Sequence, residues 1–143
     1  MTRFLIILPI LFVLTGCRPA TNEAELVSEA QSFMASYAQD LIRHDGAAIG
    51  NRYKRSGTYF RGSFQEFDST RVFYEQRWSG PTSFVFRNMK YEVLGPESVL
   101  ITGQGVWGRG DSLEALVLDY AGVLVREESE LRLQVEDETV ISQ

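Results

Sequence analysis

The spacing of apolar residues divides the chain into a helical first half and a strand-rich second half. Asn22 and Glu25 have the spacing of a helical capping box, and the His44-Asp45-Gly46 segment stops the pattern that follows. Between these points apolar side chains recur at steps of three and four, which predicts one amphipathic helix over residues 23–44. Its apolar stripe comprises Leu26, Val27, Ala30, Phe33, Met34, Tyr37, Ala38, Leu41 and Ile42.

Shorter elements follow the long helix. Asp45 stands at the N-cap position of a second, short helix that runs through Tyr53. Residues 57–62 predict a short strand closed by glycine. A third helix is predicted within residues 64–78, with either Ser63 or Asp68 as its N-cap. The chain to residue 80 therefore supplies three helices and one short strand.

From residue 82 onward the pattern is that of strands separated by short turns. Strands are predicted over 83–94, 99–107, 113–126 and 131–141, and the turns between them contain glycine, proline, serine and acidic residues. Because the helices come first and an antiparallel meander follows, the sequence predicts an α+β fold: three N-terminal helices packed in a strongly curved antiparallel sheet.

The first 16 residues have the composition of an export signal. Arg3 gives a short basic region, and residues 4–14 are an uninterrupted apolar run that contains Pro9. A run of this length is too short to cross a hydrocarbon core of about 30 Å, for which a helix needs ~20 residues. The pattern predicts a cleaved signal peptide over residues 1–16.

The residues Leu14-Thr15-Gly16-Cys17 resemble the lipobox of bacterial lipoproteins. The resemblance implies cleavage before Cys17, diacylglycerol on its sulfur and an acylated amino terminus, which together anchor a protein stably. It implies a membrane partner through the N-terminal lipid and a periplasm-facing location in the cell envelope. The residue after Cys17 is Arg18 and not the aspartate that marks inner-membrane lipoproteins, which implies the outer membrane. Residues 17–22 would be the lipidated N-terminus and tether, and residues 23–143 the folded domain.

The composition of the chain after the signal limits its partners. Removing Arg3 from the 14 basic residues leaves 13 against 19 acidic residues, a net charge of −6. This balance argues against nucleic acid as a partner, which requires basic patches. With one histidine and Cys17 as the only cysteine, no metal site, disulfide or cofactor is expected.

The order of elements resembles the nuclear-transport-factor-2-like superfamily, which includes SnoaL-like cyclases and ketosteroid isomerase. The resemblance covers about residues 24–141 and rests on Asp45 after the first helix, Tyr53 eight residues later, the 57–62 strand and Leu131-Arg132-Leu133 in the closing strand. The family normally has Trp-Arg-Ile at the last position, so Leu131 departs from its pattern. The resemblance implies a cone, formed by the sheet around the helices, with a pocket inside.

Four residues are candidates for that pocket: Tyr37, Arg61, Asp119 and Trp107. Tyr37 lies eight residues before Asp45, the spacing at which ketosteroid isomerases carry an oxyanion-binding tyrosine; the alternative is a core aromatic residue. The resemblance places Arg61 where the isomerase has its general base, and arginine cannot abstract a proton. Asp119 falls near the isomerase's second carboxylate. Asp119 and Arg61 would form a buried ion pair or, alternatively, remain solvated charges.

From these placements we expect Tyr37 to point into the cone and Arg61 to lie near its mouth, with no carboxylate beside them as a general base. The single histidine, His44, is expected to be structural at the helix end. Residues 103–108 match the pattern G-x-G-x-x-G but lie within a hairpin, so the glycines are interpreted as sites of sheet bending or close backbone approach.

Two main functional hypotheses follow. The first is a non-catalytic module that binds a small apolar or anionic molecule, a protein partner, or a second copy of itself through the sheet face. The second is a small isomerase- or cyclase-type enzyme acting on a hydrophobic substrate, and a structural envelope subunit is a third. A carboxylate or histidine facing Tyr37 in an apolar cavity, with a displaced pKa, would favour the enzyme.

Overall fold

The computed structural model describes residues 22–108 and 115–142. The predicted signal peptide, the predicted lipidation site Cys17, the predicted tether before Asn22 and the predicted turn after Gly108 lie outside these residues. Within them, no helix combines the length and apolar character needed to cross a bilayer.

Three helices precede most of the sheet: α1 (Glu23–Arg43), α2 (Gly46–Asn51) and α3 (Phe67–Gln76). Asn22 Oδ1 accepts a hydrogen bond from the Ala24 N–H, and Asp45 Oδ1 accepts one from the Ala48 N–H, so both predicted N-caps are confirmed. The predicted cap of α3 is wrong. Glu66 holds that position without a side-chain hydrogen bond, since Ser63 lies in a strand and Asp68 within the first helical turn.

Six strands form one sheet in the order β2-β1-β6-β5-β4-β3. Their bounds are β1 (Thr58–Phe60), β2 (Ser63–Gln65), β3 (Ser83–Gly95), β4 (Ser98–Gly108), β5 (Ala115–Glu127) and β6 (Glu130–Ser142). The predicted single strand at 57–62 is a hairpin whose turn residues, Arg61 and Gly62, both have positive φ. The α+β class with three helices is confirmed, and the sheet is mixed because β1 pairs in parallel with β6.

The buried face of α1 lies against the concave side of the sheet. The stripe predicted from the sequence is buried at Leu26, Ala30, Phe33, Met34, Tyr37 and Leu41. It packs with sheet residues that include Val99, Ile101, Leu124 and Leu133 in one continuous core. Burial of this apolar area supplies the main driving force for folding.

The glycine-rich stretch of β4 serves the packing of the sheet. The register between β3 and β4 shifts between Arg87 and Lys90, and Asn88 there has φ 56°. A Cβ on Gly103 would lie 2.3 Å from Met89 Sδ. Glycine therefore lets Met89 lie against the backbone of β4, which is a packing role for this part of the motif.

A β-bulge in β6 decides which acidic side chains face the helices. Leu124 pairs with Leu133 and Val123 with Val135, which leaves Gln134 as an extra residue. Side chains alternate between the two faces of a strand, so an extra residue moves the inward positions from odd to even numbers. Leu131 and Leu133 are buried before the bulge, and Glu136 is buried after it.

The two ends of α1 have different surroundings. Near its N-terminus, Glu29 forms an ion pair with Arg126 of β5 at 2.5 Å. At its C-terminus, Asp40 pairs with Arg52 at 2.5 Å, and His44 Nε2 lies 2.7 Å from the Pro81 carbonyl. With 21 residues at about 1.5 Å each, α1 spans about 31 Å between these ends.

Candidate functional site

An inner cavity of about 280 Å³ lies beside the C-terminal half of α1, between α3 and the sheet. Its apolar walls are aromatic and aliphatic, and its polar lining includes two phenols, two guanidinium groups and one carboxylate. The apolar members are Leu41, Phe60, Phe73, Trp78, Phe84 and Trp107; the polar ones are Tyr37, Arg61, Tyr74, Arg77, Ser79 and Glu138.

The structure brings together three of the four candidate pocket residues. Tyr37, Arg61 and Trp107 line the inner cavity, with Tyr37 buried and facing inward as expected. Asp119 does not join them. It is exposed on the outer face of the sheet, in register with Gln104, which in turn faces Arg87 across β3. Alternation along β5 explains this placement, because its neighbours Leu118 and Tyr120 are buried.

Of the two alternatives given for Arg61 and Asp119, the buried ion pair is therefore wrong. Arg61 Nη2 lies 3.1 Å from Glu138 Oε2. Glu138 follows the bulge in β6, and its side chain is largely buried while that of Arg61 remains exposed. Glu138 supplies the carboxylate of the inner cavity.

Behind the cavity lies a buried cluster of four polar side chains, here called the tyrosine–Glu136 cluster: Tyr37, Tyr53, Tyr74 and Glu136. Glu136 Oε1 is 3.1 Å from the Tyr37 hydroxyl, and Oε2 is 2.5 Å from the Tyr53 hydroxyl. The Tyr53 hydroxyl is also 3.0 Å from that of Tyr37 and 2.7 Å from that of Tyr74. We expected no carboxylate beside Tyr37 as a general base; the structure places the carboxyl group of Glu136 in direct contact with the Tyr37 hydroxyl.

Counting protons in this cluster indicates that Glu136 is neutral. Four oxygen–oxygen contacts of hydrogen-bond length join the four side chains, and each needs one proton. Three phenols supply three protons. The fourth contact is satisfied only when Glu136 carries a proton of its own.

The pKa of Glu136 agrees with the conclusion that this carboxyl group is neutral. Burial, reinforced by the nearby charge of Glu138, raises the pKa of Glu136 to about 8, although hydrogen bonds from the tyrosines oppose the shift. Burial first, and the Glu136 carboxyl second, raise the pKa values of Tyr37 and Tyr53 well above the ordinary phenol value. At neutral pH the whole cluster is therefore protonated.

Tyr120 stands at the edge of this cluster. Burial, followed by the charge of Glu136, raises the pKa of its phenol. Its hydroxyl is close enough to influence the Glu136 carboxyl, but its geometry satisfies no hydrogen bond with the described residues. The Tyr120 hydroxyl therefore makes no hydrogen bond to Glu136, because a hydrogen bond requires a suitable angle as well as a short distance.

Glu138 is electrostatically different from Glu136. Burial raises the pKa of Glu138, while the hydrogen bond and charge of Arg61 act in the opposite direction. The arginine thus favours an ionised carboxylate at the wall of the cavity, next to a neutral carboxyl group behind it. Two neighbouring carboxyl groups whose pKa values are perturbed by different surroundings are a familiar arrangement for acid–base chemistry.

The aromatic wall is held by edge-to-face contacts. The ring centroids of Trp78 and Trp107 are 6.2 Å apart, and Trp78 also meets Tyr74 at 5.5 Å. The ring centroid of Phe84 lies 6.4 Å from that of Trp107. Such contacts fix the rings relative to one another and leave a cavity with rigid, flat walls.

The chemistry-bearing residues that sequence reasoning missed are Glu136 and Glu138. Simple alternation from Leu131 through Leu133 to Val135 assigns both glutamates to the solvent face. The bulge at Gln134 reverses that assignment, and no local sequence signal marks it. Within residues 22–108 and 115–142, no group of three or more His, Cys, Asp or Glu side chains is arranged to hold a metal ion.

The sequence matches no protein-family model and no curated protein. Solved structures of other proteins, however, are similar to the structure of this chain. An NTF-2-like protein of unknown function from Shewanella oneidensis has a TM-score of 0.66 at 12% identity, covering 78% of this chain and 97% of that one.

Two further structures show the same similarity. A putative scytalone dehydratase from Novosphingobium aromaticivorans has a TM-score of 0.61 at 10% identity, covering 80% of this chain and 83% of that one. ActVI-ORFA from Streptomyces coelicolor has a TM-score of 0.62 at 18% identity, covering 80% of this chain and 96% of that one. At these identities the comparison establishes the fold alone. The fold is nuclear-transport-factor-2-like.

Proposed function

We propose that the domain binds a small planar aromatic molecule bearing a hydroxyl group in the inner cavity. The observation that carries this proposal is the aromatic wall around Trp78 and Trp107 with one carboxylate, Glu138, set into it. Ligand sites of this kind combine apolar walls with a few polar groups that fix orientation. The volume of about 280 Å³ suits one or two fused rings.

The protonation of the tyrosine–Glu136 cluster supports a hydroxyl rather than a carbonyl group on the ligand. Its four protons are used by four internal contacts, so the phenol oxygens of Tyr37 and Tyr74 have acceptor capacity for a ligand but no free proton. Glu138 is a second acceptor. This differs from the oxyanion-binding role that the resemblance implies for Tyr37, in which its phenol would donate a hydrogen bond.

The test compares 2-naphthol with 2-methoxynaphthalene, which has a similar ring but no hydroxyl proton. By titration calorimetry we expect 2-naphthol to bind about tenfold more tightly, the effect of one hydrogen bond to a carboxylate, and Glu138→Gln to reduce that preference. The only two tryptophans line the cavity, so both indole N–H signals in an NMR spectrum should shift. Equal affinity for both compounds, or unmoved indole signals, would contradict the proposal.

A second candidate is an acid–base enzyme, and Glu138 is the observation that favours it. Its pKa is raised by burial, it lines an apolar cavity, and Arg61 holds it in position. The similarity in fold to a putative scytalone dehydratase supports the same class of chemistry. The test is exchange of the acidic ring protons of 2-tetralone with deuterated water, followed by NMR. Catalysed exchange that Glu138→Gln abolishes would establish the enzyme, and its absence in the wild type would exclude this chemistry.

We also propose that the protein is a lipoprotein anchored in the cell envelope through Cys17. The support is the complete Leu14-Thr15-Gly16-Cys17 match at the end of an apolar run. Cys17→Ser is expected to abolish incorporation of labelled palmitate and to give a soluble or unprocessed precursor. Continued palmitate labelling and detergent partitioning of the variant would contradict the assignment.

Self-association through the sheet face stays a prediction. Its support is a row of apolar residues on the outer face, where Val85, Val106 and Val117 stand in register across three strands. Val85 is exposed within this row.

A further inference from the structure

A second cavity, here called the side cavity, adjoins the inner cavity. It has a volume of about 360 Å³ and lies between α3 and the β1–β2 hairpin. Phe60, Phe73, Tyr74 and Arg77 line both cavities. Phe73 and Arg77 are exposed, so the boundary between the two cavities reaches the protein surface. One ligand could enter there and occupy both spaces.

Arg77 differs from the other arginines in this region. Arg61 is paired with Glu138, and Arg71, in the helix that Arg77 ends, is paired with Glu75 at 3.1 Å. The guanidinium of Arg77 has no ion-pair or hydrogen-bond partner within residues 22–108 and 115–142; only its backbone N–H is engaged, with the Phe73 carbonyl. The permanently charged guanidinium group of Arg77, with its five N–H donors, is therefore unpaired among the described residues at the place where the two cavities meet.

The rest of the side cavity adds neutral polar groups. Gln65 contributes a side-chain amide and Ser69 a hydroxyl, while the phenyl rings of Phe60 and Phe73 provide apolar walls. A single guanidinium with neutral donors matches the charge and planar shape of one carboxylate. A phosphate dianion would call for a second unpaired cation in the same place.

We propose that the ligand carries a carboxylate, that this group lies in the side cavity against Arg77, and that its hydroxylated ring occupies the inner cavity. The inference rests on the proposed function for the position of the ring. It adds the second binding site and narrows the ligand class to hydroxylated aromatic carboxylates. Arg77 would hold the ligand by its charged end, while Glu138 and the phenols hold the hydroxyl end.

The experiment compares 6-hydroxy-2-naphthoate with 2-naphthol, which lacks the carboxylate, in titrations of the intact protein. We expect the naphthoate to bind about tenfold more tightly, as for one charge-assisted hydrogen-bonded pair. Arg77→Met should remove this preference, so that the variant binds the naphthoate and 2-naphthol with similar affinities. Arg71→Met, the matched control, should retain the preference because Arg71 lines neither cavity.

A second readout locates the carboxylate. The side-chain amide signals of Gln65 should shift with 6-hydroxy-2-naphthoate and stay in place with 2-naphthol. If 2-naphthol binds but the carboxylate adds no affinity, or if Arg77→Met keeps the preference, this inference is overturned and the proposed function stands. If neither compound binds, the proposed function fails and the inference fails with it.

Discussion

Glu136→Ala is expected to destabilise the domain by about 3–5 kcal/mol, as measured by urea denaturation. The side chain is 1% exposed and contacts the hydroxyls of Tyr37 and Tyr53. Alanine would leave a cavity in the core and deprive two buried phenols of a partner. An unsatisfied buried polar group alone costs about 1–3 kcal/mol, and the lost packing adds to that.

Glu136→Gln is the matched control, because glutamine keeps the shape and remains neutral at every pH. The pKa of Glu136 is about 8 in the fold against 4.5 for the ordinary carboxyl group. Between these values the folded chain holds a proton that the unfolded chain has lost. Stability from this group is complete below pH 4.5 and is lost as the pH rises through 8.

Across that window the unfolding free energy of the wild type should fall relative to that of Glu136→Gln. The difference between the two proteins isolates this group from Glu138, whose pKa is also raised and which therefore acts in the same direction. Parallel pH profiles for the two proteins would show that Glu136 is ionised in the fold, and the proton count of the cluster would then be wrong.

Phe33→Ala is expected to cost about 3–5 kcal/mol in unfolding free energy. Phe33 is 9% exposed on the buried face of α1, its ring lies 6.3 Å from that of Tyr37, and the guanidinium of Arg52 is 5.1 Å from its centroid. Truncation removes a large apolar contact together with this cation–π contact.

Phe64→Ala serves as the control for the same change of residue type. Phe64 is 52% exposed on β2, where its ring lies against Gly57 and 5.5 Å from the ring of Tyr59. The expected loss is about 1 kcal/mol or less. Similar denaturation midpoints for the two variants would mean that the face of α1 carrying Phe33 does not form the core.

The fold was largely predictable because the patterns that encode it are local. The stripe on α1 has a clear helical period, and the long strands follow turns rich in glycine and acidic residues. The β1–β2 hairpin was not predictable as two strands, since each has three residues and only Arg61 and Gly62 separate them. Nor does any local pattern encode the parallel pairing of β1 with β6, which joins residues more than 70 positions apart.

The sequence named three residues that line the inner cavity, Tyr37, Arg61 and Trp107, but missed Glu138. Tyr37 faces inward because it shares the stripe of Phe33, Met34 and Leu41. Its partner Glu136 was hidden by the bulge at Gln134, which depends on how β5 and β6 pair rather than on the residues nearby. Asp119 was misplaced for the same reason: which face of a strand a residue occupies follows from the pairing register.

The direction of α1 sets how the domain would meet a surface that holds its N-terminus. The chain enters α1 at Glu23, near the end where Glu29 pairs with Arg126, whereas the inner cavity lies beside Leu41, about 27 Å further along the helix. A domain attached through its first residues would turn the cavity away from the attachment surface. Compounds would then reach the cavity from the surrounding water.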